Sequence, residues 1–118
     1  MDFYDGFDLE TAAVIQLTPS DPIPAEVDFV FAYNSTEVNP VVMFQQNGAE
    51  IAFLDGTAFD DVSCLVDGTR TFSGALNGSA FDPDDTIIVK TPLGNQFKVG
   101  RPAYGGSGPV TFSYSRLQ

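Results

Sequence analysis

Sixteen carboxylates are the side chains in this sequence best able to do chemistry. Two groups are locally dense: Asp82-Pro83-Asp84-Asp85, and Asp55 followed by Asp60 and Asp61. A hard cation wants about six to eight oxygens, and loops rich in Asp and backbone carbonyls supply them. Asp82, Asp84 and Asp85 are therefore the candidate ligands for calcium. Neither group follows the D-x-[DN]-x-[DN]-G pattern of a calcium-binding helix-loop-helix. The competing reading is a solvated turn in which Asp82 bonds its own backbone ahead of Pro83. A pair of acids can also hydrolyse a glycosidic bond, one protonated to release the leaving group and one ionised. A carboxylate-based glycan hydrolase is accordingly the catalytic alternative.

The rest of the catalytic inventory is thin. The chain contains no His, so neither a Ser-His-Asp or Cys-His machine nor a typical zinc site can be assembled. The Gly-rich stretch Tyr104-Gly105-Gly106-Ser107-Gly108 opens no predicted helix and lacks the Lys-Ser/Thr of a phosphate loop. It does carry Tyr104, a candidate for stacking on a sugar ring or a protein partner. The alternative is that Tyr104 folds back over the edge of the core.

Charge narrows the partners. The formal net charge of −11, with 5 basic residues, repels phosphate backbones and anionic lipid, which argues against nucleic-acid and membrane-surface binding. No run approaches the ~18 apolar residues of a membrane span. The single Cys64 rules out an internal disulfide, and its setting in Val62-Ser63-Cys64-Leu65-Val66 predicts a buried thiol. Met1-Asp2-Phe3-Tyr4-Asp5 is acidic where an export signal is basic. A processed mature fragment with an added start Met would look the same.

The elements that must position these residues are strands. At 118 residues the chain is one domain, 1–118, and 43% apolar content supplies a single core. Thr86–Val99 is the best hairpin: Ile87, Val89 and Thr91 alternate with Ile88 and Lys90, then Phe97 and Val99 with Gln96 and Lys98. Thr91-Pro92-Leu93-Gly94 makes the reversal, with Pro92 presetting φ and Gly94 accepting a left-handed conformation. Val27–Tyr33 is apolar on both faces, as a central strand is. Asn47-Gly48 between Val41–Gln46 and Glu50–Leu54 predicts a second hairpin. Ala13–Leu17, Val62–Val66 and Val110–Leu117 read as further strands, and Thr57–Asp61 as a single helical turn. Thr69–Ala80 is Gly- and Ser-rich, and Asn34-Ser35-Thr36 and Asn77-Gly78-Ser79 match the N-glycosylation triplet. Short strands punctuated by turn residues predict an all-β fold, a two-layer antiparallel β-sandwich or else a small barrel.

The order of motifs resembles a class of small all-β domains in exported bacterial proteins, the HmuY-like proteins among them. The segments that carry the resemblance are GFDLETAAVIQL, VDFVFAY, AEIAFLDGTAFDDV, DTIIVKTPLGNQFKVG and PVTFSYSRL. Gly6, Phe7, Asp8 and Thr11 match the opening motif; Val89, Thr91, Gly94 and Lys98 match the hairpin motif. Haem capture in that group rests on His and in some members Met. This chain has no His, and Met43 falls inside a predicted strand, so haem is not carried over. The resemblance implies a non-enzymatic β-domain outside the cytoplasm, extracellular or periplasmic, with a structural or interaction role. The expected partner is a protein or carbohydrate, with no resident cofactor other than calcium. An exposed edge strand near either terminus would allow self-association.

Overall fold

The computed structural model describes residues 1–18, 20–36, 38–66, 71–72, 75–77, 82–106 and 109–118. The Asp67-Gly68 turn, most of the 69–80 stretch and two residues of the Asn77-Gly78-Ser79 triplet lie outside these. Among the described residues, ten strands form two antiparallel sheets. They are β1 (Gly6–Asp8), β2 (Ala13–Ile15), β3 (Phe29–Tyr33), β4 (Val41–Gln45), β5 (Glu50–Leu54), β6 (Thr71–Phe72), β7 (Ala75–Asn77), β8 (Thr86–Lys90), β9 (Gln96–Val99) and β10 (Tyr114–Arg116). The first sheet has the order β2-β1-β3-β4-β7 and the second β10-β9-β8-β5-β6. Both sheets are open, so the fold is the sandwich and not the barrel.

One core fills the space between the layers. Phe7, Phe29, Phe31, Val41, Met43 and Leu76 come from the first sheet. Ile51, Ile87, Val89, Phe97 and Val99 come from the second. The period-two alternation of each strand turns these residues to the same side. Phe112 reaches the core from the segment before β10, its ring 5.2–5.7 Å from those of Phe7, Phe29 and Phe31. A second cluster explains why β8 is buried on both faces. Ile88 and Ala52 point out of the sandwich yet are covered by Val62 and Leu117, with Leu54 and Val66 packed alongside.

The β8–β9 hairpin forms as its sequence predicts. The Gly94 amide donates to the Thr91 carbonyl at 2.8 Å, with Gly94 at φ 89°. Ile87, Ile88, Val89 and Lys90 pair with Val99, Lys98, Phe97 and Gln96. β3 is the middle strand of its sheet, flanked by β1 and β4.

Other expectations are corrected. Asn47 and Gly48 do adopt positive φ, 55° and 84°, and the Ala49 amide closes the turn on the Gln46 carbonyl at 3.0 Å. The flanking strands nevertheless part company. β4 pairs with β3 and β7, and β5 pairs with β8 and β6 in the opposite sheet. The turn is an arch between layers, anchored because Asn47 Nδ2 donates to the carbonyls of Pro24 and Val27, each at 2.8 Å. Residues 62–66 form no strand; they drape over the second sheet through Val62, which leaves Cys64 exposed instead of buried. The helical turn is a 3-10 turn at Phe59–Asp61 preceded by Ala58, so Thr57 does not cap it. The last strand shortens to Tyr114–Arg116, because residues 103 and 111 form a local bridge of their own. β1 is an additional strand, paired on one side with β2 and on the other with β3.

Candidate functional site

At the turn end of β8–β9 lies a cleft of about 320 Å³ whose lining includes four carboxylates, Asp8, Glu10, Glu26 and Asp28. Ala25, Pro92 and Leu93 supply its apolar surface. Its acids come from the end of β1, the loop that follows it and the segment that enters β3. Gly6 brings β1 tightly against the chain entering β3: an added Cβ would stand 2.6 Å from Val27 Cγ2, closer than real side chains approach. That approach puts Asp8, at the end of β1, and Asp28, just ahead of β3, in one place.

Each of three acids is already engaged with donors of the protein. Asp28 Oδ2 accepts from the Leu9 amide at 2.8 Å. Asp8 accepts from the Glu10 amide at 3.0 Å and the Thr11 hydroxyl at 2.8 Å, which stabilises the turn between β1 and β2. Glu10 accepts from the Thr91 hydroxyl and from Asn95 Nδ2, the latter at 2.8 Å. It thereby ties the β1–β2 loop of one sheet to the β8–β9 turn of the other. Asn95 in turn accepts from Arg116 Nη2 at 2.7 Å. Asp28 is buried, and this burial pushes its carboxyl above the ordinary value. The Leu9 amide pulls the other way, and the negative charges of Asp8 and Glu10 add to the rise.

The residues singled out from sequence lie elsewhere. Asp82 and Asp84 are exposed, while Asp85 is buried and turned into its own loop. Its carboxylate accepts from the Gly56 amide at 2.7 Å and the Asp82 amide at 2.6 Å. Burial opposes ionisation there, but the amides of Asp82 and Gly56, with the Asp55 side chain, outweigh it and hold the carboxyl below its ordinary value. Among the described residues no group of three or more His, Cys, Asp or Glu is disposed to hold a metal ion. Tyr104 is half-buried and packs edge-on against Phe3 at 4.8 Å and Tyr33 at 6.0 Å. Phe3 meets Tyr33 at 5.3 Å, so the three rings form a small cluster at the margin of the core. Tyr33 is its exposed member.

The carboxylates of the cleft were not among the candidates drawn from sequence. The available signal was Asp28, a lone acid in the most apolar strand, because an acid is buried only where donors or charges meet it.

Comparison of the chain with protein-family models, with curated proteins and with solved structures gives no match. The resemblance to HmuY-like domains therefore rests on the order of motifs alone. Among the described residues no helix is long and apolar enough to cross a membrane.

Proposed function

We propose that this chain is a non-enzymatic interaction module, working outside the cytoplasm, whose acid-lined cleft receives a basic side chain of a protein partner. The observation that carries the reading is the way the cleft's acids are employed. Asp8, Asp28 and Glu10 are held in place by backbone and side-chain donors, which is preorganisation, and apolar atoms of Ala25, Pro92 and Leu93 line the space beside them. A lysine or arginine suits such a site: its methylene stem covers apolar surface while its charged head meets carboxylates. The net charge of −11 would steer a basic partner toward this surface. The extracytoplasmic setting is part of the proposal and is supported by the motif resemblance.

A second reading has a specific observation in its favour. Asp28 is a carboxyl with a raised pKa in a cleft that holds other acids, the arrangement a glycoside hydrolase needs. A panel of glycans incubated with wild-type protein and with Asp28→Asn separates the two. No turnover by either protein, together with saturable shifts of residues 8–10 and 91–93 when a tri-lysine peptide is titrated by NMR, supports the module. Turnover by wild-type that Asp28→Asn abolishes would establish the hydrolase instead.

A further inference from the structure

Asp28 is the most deeply buried of the four acids that line the cleft, 3% exposed. Its Oδ2 accepts from the Leu9 amide. Its Oδ1 accepts no hydrogen bond among the described residues, yet it is not one of the side-chain atoms that are both enclosed and unpartnered. An unbonded oxygen that is not enclosed retains accessible surface, and the cleft is the space that Asp28 lines. Asp8 and Glu10 are placed differently. Both oxygens of each already hold a donor: the Glu10 amide and the Thr11 hydroxyl on Asp8, the Thr91 hydroxyl and Asn95 Nδ2 on Glu10. A carboxylate oxygen has two lone pairs, so these acids keep single lone pairs to offer but no empty pair of oxygens. The fourth acid, Glu26, is exposed, and an ion pair made there stays in solvent and contributes little.

Building on the reading of this cleft as a receptor for a basic side chain, we infer that its occupant is the ammonium head of a lysine from the protein partner, selected over arginine. Ammonium is a compact charge whose three donors rotate together, so it can meet separate oxygens of Asp28, Asp8 and Glu10. Guanidinium is a flat fork of five fixed donors, best matched by a carboxylate with both oxygens free side-on. None of the three inner acids presents one. Guanidinium is the more weakly hydrated of the two heads, which eases its entry. Once inside, its donors outnumber the single oxygens in reach, and every buried N–H left over carries a desolvation penalty. Several donors are stranded against one difference in hydration, so the balance falls to lysine. The aliphatic stem then lies along Ala25, Pro92 and Leu93, the last of them 77% exposed.

The electrostatics of the empty cleft agree with this occupant. Burial first, and then the charges of Asp8 and Glu10, push the Asp28 carboxyl above its ordinary value against the pull of the Leu9 amide. An ammonium beside Asp28 opposes that rise. The other residues of the lining, Ala25, Thr91, Pro92 and Leu93, bring no titratable group to it.

Capped glycine pentapeptides with one central lysine, arginine, acetyl-lysine or trimethyl-lysine are the probes; capping leaves no terminal amine to compete. Each is titrated into the isotope-labelled chain while the amides of 8–10 and 91–93 and the Asp28 carboxyl carbon are followed by NMR. The expected result is a saturable displacement by the lysine peptide, with the arginine peptide weaker by about tenfold or more. Acetyl-lysine has lost its charge and should give no displacement. Trimethyl-lysine keeps the charge without a donor and should weaken by about tenfold or more, whereas mere attraction to an acidic chain would leave it equal to lysine. The Asp28 carboxyl should titrate at lower pH when the lysine peptide is present. Asp28→Asn keeps an oxygen for the Leu9 amide but removes the charge, and should erase the preference for lysine. Arginine or trimethyl-lysine binding as tightly as lysine, or an Asp28 titration that the lysine peptide leaves unmoved, would each overturn the choice of lysine while leaving the cleft a receptor for basic groups. Displacement by none of the peptides would remove that receptor reading, and the choice of lysine with it. The peptides are compared on wild-type protein, so a variant that fails to fold does not shield the idea.

Discussion

The two ends of the β8–β9 hairpin handle charge in opposite ways. At the turn end, Asp8, Glu10 and Asp28 are negative groups in a negative molecule, and each is bound to amides, hydroxyls or an amide side chain of the same chain. At the open end, Asp85 is tethered in the same manner, whereas Arg101 Nε is buried without a hydrogen-bond partner among the described residues. A carboxylate bonded to donors of its own chain holds the loops that carry it in place, and its remaining lone pairs can still meet a cation that enters the cleft. Acids are plentiful in this sequence and serve as fasteners.

The largest effect is expected where a fastener is cut. Asp85→Ala leaves the amides of Gly56 and Asp82 without their acceptor, and should cost about 2–3 kcal/mol in urea unfolding. Because the folded state depresses the Asp85 pKa, its stabilisation is complete above the ordinary carboxylate value and fades as pH falls through the folded value. The gap between wild-type and variant should therefore narrow in acid. A constant gap would mean that the carboxylate's charge is irrelevant.

Gly6→Ala comes next. The new methyl would meet both Cγ atoms of Val27, at 2.6 and 2.8 Å, and Val27 is fully buried with a β-branched side chain that cannot swing aside. A loss of about 1–3 kcal/mol is expected. Chemical shifts should change across Asp8 and Asp28 and remain in place at Arg101; an equal disturbance at both ends would erase the contrast between them.

Glu10→Ala should cost about 1–2 kcal/mol, since it removes the acceptor that joins the two sheets through Thr91 and Asn95. Hydrogen exchange should quicken at residues 91–95 first.

Asp28→Asn tests the opposite sign. A carboxyl whose folded pKa lies above its unfolded value keeps its proton in the folded state while the unfolded chain releases it, so stability falls as pH rises through that window. The variant should match or exceed wild-type at about pH 7, by up to about 1 kcal/mol, and lose that advantage toward about pH 3. A variant less stable at neutral pH would show that the Leu9 hydrogen bond outweighs the cost of burying the charge. The smallest effect is expected from calcium: Asp82 and Asp84 stand in solvent and Asp85 is occupied, so melts with calcium and with EDTA should superimpose. Separated curves would restore those three aspartates as ligands.

Much of the architecture was legible because it depends on neighbours in the chain. Thr91-Pro92-Leu93-Gly94 dictates a reversal through the φ preferences of Pro92 and Gly94. The alternation on either side then settles which residues of β8 and β9 face inward. Val30 and Ala32, apolar on the face opposite Val27, Phe29 and Phe31, mark a central strand. Even at Asn47-Gly48 the local conformation follows from residue type.

What the chain's order could not determine was which strand each strand would find. Asn47-Gly48 turns the backbone but does not choose between a hairpin and an arch. That choice was made by β8 pairing with β5 and by the carbonyls of Pro24 and Val27 capturing Asn47. Cys64 lies in a run that reads as buried, and is exposed because Val62 found cover over Ile88 while its neighbours did not. Asp8, Glu10 and Asp28 become a cleft, and Arg101 the wall of a cavity, only when strands distant in sequence are laid side by side. Backbone preference is a property of one or two residues and travels with them. Hydrogen-bond satisfaction and burial belong to the assembled whole, and it was there that the bonded acids of the cleft and the tethered Asp85 were decided.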